Sequence, residues 1–240
     1  MQHKFNFDEQ DEEGKSILML ILDMELNNEF LWFCLEYFAD PNLQDNEGNT
    51  ALHYAFLKTN RNAIWALLLF NADLEIRNNE ENPEEEVQGK TCYEKSDNLF
   101  KSDELEKIKE FFNDEFKIHF AQLTRNRRDK IRSIYNEIDN MKTGISADRL
   151  SSFNLWINVM NDKNIDKEKA QSYCDVDAKK FIEGSRSFVI NSNSSEIYFE
   201  EFIIALTRIS KSVGIKKLEE LFEKFDKAAT SGKKIDDMFA

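Results

Sequence analysis

Apolar positions recur at helical spacing along most of the chain. Ile64, Leu67 and Leu68 form one stripe of a segment over 63–70. Leu105, Ile108, Phe112 and Phe116 do the same over 101–120, and Ile215, Leu218, Leu221, Phe222 and Phe225 mark a late amphipathic helix. Only 7 Gly and 2 Pro interrupt the 240 residues, which favours helices over a turn-rich sheet. The pattern predicts an all-α chain. The apolar runs 17–22 and 30–35 are separated by Asp23, Glu25 and Glu29. Both fall far short of the roughly 20 residues that a membrane span requires.

A longer period lies over the helical one. Asp11, Gly14, Ser16 and Leu18 recur as Asp45, Gly48, Thr50 and Leu52, an offset of 34, and Trp32, Leu35, Ala39 and Asp40 recur as Trp65, Leu68, Ala72 and Asp73, an offset of 33. A third copy starts at Asn78 and resumes at Gly89, Lys90 and Thr91 after an acidic insertion over 79–87. Gly48 suits a tight turn ahead of a helix, and Thr50 can cap a helix that starts at Ala51. Small Ala51 and Ala55 let a second helix, over 63–70, approach closely. Each repeat therefore reads as a helix pair stacked on the next.

The segment ADPNLQDNEGNTALHYAF, with Thr50, Leu52, His53 and Ala55 in a Thr-x-Leu-His-x-Ala arrangement, resembles the ankyrin repeat. The first unit keeps Gly14, Ser16 and Leu18 without the His and Ala, and the third keeps Gly89 and Thr91 but continues as CYEK. The resemblance implies a short helical solenoid that binds protein partners through its turn loops and concave helix face, with no catalytic chemistry. About three repeats is the lower limit for such a stack, so its last unit is expected to be covered by the domain that follows.

In the second half, IRSIYNEIDNMKTGISADRL has the order of an EF-hand, with Asp139, Gly144 and Ile145 in the loop and Leu150 opening the exit helix. SFVINSNSSEIYFEEFIIAL supplies a second candidate through Ile197, Phe199, Glu201 and Phe202. Calcium needs about six or seven oxygens, including an early Asp and a closing bidentate Glu. Met141 and Arg149 occupy such places in the first loop, while Ile190, Ser192, Ser194 and Ser195 fill the second, so a calcium-free structural domain is expected. The stretch from Ala147 to Ser210 also resembles the tubulin polymerization-promoting protein family, through Leu150 to Trp156, Asp175 with Asp177 to Phe181, and Ile197 to Leu206. That resemblance implies a microtubule or ciliary axoneme setting, although the family's Gly-rich basic tail is replaced by GIKKLEELFEKFDKA.

The resulting organisation is ankyrin-type repeats over 1–112, a degenerate EF-hand-like domain over 113–210, and a C-terminal helix and tail over 211–240. A formal net charge of −14 argues against an extended nucleic-acid surface. Cys34, Cys92 and Cys174 show neither zinc spacing nor a disulfide framework, which fits a reducing, cytoplasmic setting. No cofactor is expected, and QGKT over 88–91 lacks the first glycine of a phosphate loop. His3, His53 and His119 are dispersed, and no Ser or Cys sits in a nucleophile motif, so the chain reads as non-enzymatic. Glu84, Glu85 and Glu86, in a projecting insertion, are candidate protein-binding residues. So are Arg125, Arg127 and Arg128, in the one dense basic cluster, continued by Lys130 and Arg132. Each set also has an ordinary reading, as a solvated loop and as a balanced helix face. The combined reading is a protein-interaction scaffold or adaptor in a cytoskeletal assembly, with tubulin or axonemal proteins as partners. The alternative is a calcium-responsive EF-hand regulator.

Overall fold

The computed structural model describes residues 6–80, 89–95, 102–140, 142–161, 177–181, 196–232 and 234–235. Within them the chain is helical, joined only by isolated bridges, in agreement with the all-α expectation. It divides into two compact units, Met1–Lys117 and Ile118–Ala240.

The first unit holds α1 (Ile17–Asp23), α2 (Asn28–Glu36), α3 (Ala51–Leu57), α4 (Arg61–Leu69), α5 (Cys92–Lys95) and α6 (Ser102–Phe111). The helix α7 (Asp114–Gln122) runs across the boundary between the units. Helices α1 and α2 form one hairpin and α3 and α4 the next; α1 packs on α3, α3 on α5, and α2 on α4. The burial follows the repeat: Leu18, Leu52, Trp32, Trp65, Leu35 and Leu68 are all buried. Ala51, Ala55, Ala63 and Ala66 are also buried, and their lack of bulk lets helix axes approach. Trp32 meets Phe70 edge-on at 5.3 Å, and Trp65 stacks on Phe112 at 5.9 Å and 13°. Phe112, just past α6, thus covers the far side of the second repeat.

Non-glycine residues in left-handed conformation end the helices. Glu25 (φ 54°) and Thr59 (φ 53°) lie between the helices of each hairpin, and Phe38 (φ 68°) and Asn71 (φ 67°) follow the second helix of each. The amides of Leu26 and Asn60 donate back to Ile21 and Ala55 at 2.9 and 3.0 Å, and those of Ala39 and Ala72 to Cys34 and Leu67 at 3.0 and 2.9 Å. These bonds close the carbonyls that a helix end leaves open.

Two expected boundaries change. The second helix of the middle repeat begins at Arg61 rather than Ala63, because the Asn60 side chain caps it by accepting from the Ala63 amide at 3.0 Å. The single helix expected over 101–120 breaks at Phe112 and Asn113, where the Asn113 side chain accepts from the Phe116 amide at 3.0 Å and starts α7.

The second unit contains α8 (Arg125–Ile138), α9 (Ala147–Asn161), α10 (Phe199–Val213) and α11 (Ile215–Ala229), with a helical turn over 177–181. Ile145 and Ile197 pair across the two loops through reciprocal amide bonds of 2.9 and 3.0 Å. Around them Ile131, Ile134, Ile138, Leu150, Phe202 and Ile203 are buried. The Tyr135 ring lies edge-on to Phe199 and Phe202 at 5.5 and 5.6 Å. Leu218 and Phe225 of the late amphipathic stripe are buried, with Phe225 at 6.3 Å from Phe153, so that stripe packs within the unit.

Candidate protein-interaction surface

The turns ahead of α1, α3 and α5 share one construction. Asp11, Asp45 and Asn78 each accept two backbone amides through one side-chain oxygen. The donors are Glu13 and Lys15 (2.9 and 2.8 Å), Glu47 and Asn49 (3.0 and 2.8 Å), and Glu80 and Lys90 (3.2 and 2.8 Å). Gly14, Gly48 and Gly89 take φ of 78°, 80° and 80° at the corresponding corner. In the third turn the Gly89 amide donates to Glu80 at 2.9 Å, where its counterparts Gly14 and Gly48 donate to Asp11 and Asp45 at 2.9 Å. The insertion therefore leaves the turn at Glu80 and rejoins it at Gly89 with the frame intact.

Successive turns are locked to one another. The Asn46 amide donates to Glu13 at 3.0 Å and the Asn79 amide to Glu47 at 2.7 Å. Gln10 and Gln44 side chains donate to the Gln44 and Arg77 carbonyls, each at 2.9 Å. A Cβ on Gly48 would lie 2.7 Å from the Asn79 nitrogen, so glycine is what permits this approach. The result is a row of exposed tips, Glu12 and Glu13, then Asn46 and Glu47, then Asn79 and Glu80. Glu13 pairs with Lys15 at 3.0 Å and Glu80 with Lys90 at 3.0 Å; that bond to Lys90 holds the Glu80 carboxyl below the usual range. Residues 1–117 carry 27 acidic and 11 basic side chains, whereas 118–240 carry 19 and 21, so the acidity of the chain belongs to the unit that carries the tips. Glu84, Glu85 and Glu86 lie outside the described residues.

The ankyrin-like histidine is structural. His53 Nδ1 accepts from the Thr50 amide at 3.1 Å, which leaves Nε2 to donate to the Lys90 carbonyl at 3.0 Å and tie the second repeat to the third. Burial pushes the imidazole below its ordinary value. The same position in the flanking repeats is filled by Met19, whose sulfur accepts from the Ser16 amide at 3.4 Å, and by Glu94, which accepts from the Thr91 amide at 2.9 Å. Three different acceptors thus fill one slot, which is why the outer repeats depart from the middle one. On the first helices, Lys58 reaches across repeats to Asp23 at 3.7 Å and Glu25 at 3.4 Å, while Lys15 meets Asp23 at 2.9 Å.

The basic cluster points largely inward on its own unit. Arg127 pairs with Glu219 at 2.5 Å and donates to the Gln122 carbonyl at 3.0 Å. Arg128 donates to the Leu123 carbonyl and lies over the Phe120 ring at 5.3 Å. Lys130 pairs with Asp226, and Arg132 lies 3.9 Å from the Phe199 ring centre. Arg125 faces Asp129 at 4.0 Å and is the most open of the three candidate arginines.

In the 139–149 loop the Asp139 carboxylate accepts from the amides of Thr143 (3.0 Å) and Gly144 (3.1 Å) and from the Tyr135 hydroxyl (3.0 Å). Arg149 turns its guanidinium back to the Ile138 carbonyl at 2.7 Å. Both oxygens of the Asp139 carboxylate are thereby engaged with the protein's own donors. Met141, Asp175 and residues 190–195 lie outside the described residues. Among the described residues no group of three or more His, Cys, Asp or Glu side chains could hold a metal ion. No described helix is long and apolar enough to cross a membrane. Cys34 and Cys92 are buried thiols, and burial pushes Cys92 up to about 12, so neither is poised as a nucleophile.

Comparison with known proteins agrees with the first unit. Residues 1–78 match the family model for ankyrin repeats, in three copies. An ankyrin repeat protein of Acanthamoeba polyphaga mimivirus is 40% identical over 75 residues, which is 31% of this chain and 18% of that protein. The chain therefore spans less than a fifth of the length of the relative it matches. No solved structure matches it. The turn at Asn78 runs on past the matched residues into α5, which packs on α3.

Proposed function

We propose that the ankyrin repeats make this chain a non-enzymatic scaffold that binds a protein partner along its acidic turn tips. The observation that carries the reading is the locked row Glu13, Glu47 and Glu80, held at fixed spacing by amide bonds between successive turns. A rigid row of like charge favours a partner with complementary positive side chains and loses little conformational freedom on binding. The insertion, with Glu84, Glu85 and Glu86, extends the same charge. Affinity capture from the native cell with wild type and with a Glu13→Lys, Glu47→Lys, Glu80→Lys variant tests this. A partner held by the wild type and lost from the variant is expected; equal capture by both refutes the role of the tips.

The narrower reading of the second unit is a pair of EF-hand-like loops that dispense with calcium. It is supported by the reciprocal Ile145 to Ile197 bonds, by Gly144 at φ 91°, and by the engagement of Asp139 and Arg149 within the protein. Calorimetric titration with calcium is expected to give no binding heat, whereas a Kd tighter than about 10⁻⁵ M would establish the calcium-responsive alternative. A microtubule or axonemal setting rests on the resemblance of 147–210 to the tubulin polymerization-promoting proteins. Co-pelleting with microtubules at low salt tests it, and failure of the chain to pellet removes it.

A further inference from the structure

The first two repeats each hold the next through three bonds, and the third turns all three back on itself. Asp8 and Asn42 accept from the amides of Asp40 and Asp73 in the following repeat, both at 2.8 Å. Gln10 and Gln44 donate onward to the Gln44 and Arg77 carbonyls, and the Glu13 and Glu47 carbonyls accept from the next turn. At the third level Glu75 stands where Asp8 and Asn42 stood, but its carboxylate meets Lys109 at 2.8 Å and the Tyr93 hydroxyl at 3.2 Å. Arg77 stands where Gln10 and Gln44 stood. It still donates to the glycine carbonyl of its own turn, Gly89 at 2.8 Å, as Gln44 does to Gly48 at 2.7 Å. Its onward bond is replaced by a fork of 2.9 and 3.0 Å to Glu94. The Glu80 carbonyl accepts from the Gly89 amide at 2.9 Å, where its counterparts accept from the next repeat. Glu94 fills the slot of His53, whose second nitrogen reaches forward to Lys90, but the carboxylate reaches back to Arg77. Arg for Gln and Glu for His are thus matched changes, since a guanidinium fork and a carboxylate satisfy each other.

We infer that the third repeat is a built-in end cap, in which the Arg77 and Glu94 clasp, with the Glu75 to Lys109 pair and the Glu80 to Gly89 bond, closes the array from within its own unit. A stack of turns otherwise ends in amides, carbonyls and side chains held out for another turn. Here those groups are engaged by α5, α6 and the third turn itself. The row of tips therefore stops at Glu80, and a partner does not lengthen the array by laying a turn of its own beyond it. The cap also takes over the role expected of the domain that follows. It does not depend on what the tips bind.

The test is native-state hydrogen exchange on the full chain, read at the Gly89 and Lys90 amides, which donate to the Glu80 carbonyl and the Asn78 side chain and adjoin no substituted residue. Arg77→Gln keeps the bond to Gly89, as in the first two repeats, and gives up the fork. Exchange should rise about tenfold, the effect of losing one hydrogen bond to a charged group. Glu94→Gln can still accept from the Thr91 amide and should do the same. The two together should do no more than either alone, because they break one pair. Ile134→Asp places a charge where the second unit is fully buried and should unfold that unit, seen as loss of protection at the Ile145 and Ile197 amides; Phe202→Asp replaces it if protection persists. Gly89 and Lys90 should then exchange within about twofold of wild type. Unchanged exchange in Arg77→Gln, or additive effects of the two clasp substitutions, overturns the proposal. So does faster exchange in the third turn once the second unit unfolds, which would assign the cap to that unit.

Discussion

Asp45 is the side chain on which the middle turn depends, and its replacement has a calculable effect. Only 7% exposed, it accepts from the Glu47 and Asn49 amides at 3.0 and 2.8 Å through one oxygen and from the Tyr54 hydroxyl at 2.8 Å through the other. A hydrogen bond to a charged group contributes about 1.5–3 kcal/mol, and a buried donor left without its acceptor forfeits a similar amount. The Glu47 amide sits at an exposed tip and regains water, so the Asn49 amide and the Tyr54 hydroxyl carry most of the effect. Asp45→Ala is therefore expected to destabilise the first unit by about 3–6 kcal/mol, from two such bonds. Asp45→Asn should lose only about 1 kcal/mol, because Asn78 already holds the equivalent amides of Glu80 and Lys90 through its side-chain oxygen. Urea unfolding followed by tryptophan fluorescence reads both, since Trp32 and Trp65 are buried in this unit. Equal losses for Ala and Asn, or a loss below about 1 kcal/mol for Ala, would refute the argument.

Other expectations follow from the same geometry. Gly48→Ala combines a positive φ with a Cβ 2.7 Å from the Asn79 nitrogen and should destabilise by about 2–3 kcal/mol. Gly214→Ala meets nothing within 4 Å, but its backbone (φ 85°, ψ 151°) is one that residues with a Cβ rarely adopt, so it should destabilise the second unit by about 1–3 kcal/mol, read by circular dichroism. His53 is held neutral by burial, so its folded value lies below its unfolded value near 6.5. Its contribution is complete above that pH and is lost as pH falls from 6.5 toward the folded value, because the unfolded chain takes up the proton first. Thermal melts between pH 7.5 and 5 should show this decline in wild type, and a flatter profile in His53→Gln, whose side-chain oxygen can still accept from the Thr50 amide. Arg149→Ala removes the donor to the Ile138 carbonyl and should destabilise the second unit by about 1 kcal/mol, read by circular dichroism.

The offsets of 34 and 33 made the helix hairpins and glycine turns legible, since each repeat buries the same positions and turns at the same place. The helix ends at Glu25, Phe38, Thr59 and Asn71 were not, because none is a glycine and their left-handed backbone is imposed by the bonds that close each hairpin. The break at Asn113 was not legible either, because Leu105, Ile108, Phe112 and Phe116 keep helical spacing straight across it. The partners of Arg127 and Lys130 stand 92 and 96 residues away on α11, beyond the reach of local pattern. The exposed side of α2 did leave a trace: the alignment that equates Trp32 with Trp65 also equates Phe30 and Phe33 with Ala63 and Ala66. Only packing shows that Phe30 and Phe33 are exposed where Ala63 and Ala66 are buried.

Hydrogen exchange at the Asn46 and Asn79 amides tests the stacked array most directly, because both residues are exposed and these bonds join one turn to the next. The stacked array predicts that both exchange slowly, in step with the buried amides of α3. Exchange of both at the rate of free turns, while α3 stays protected, would contradict it.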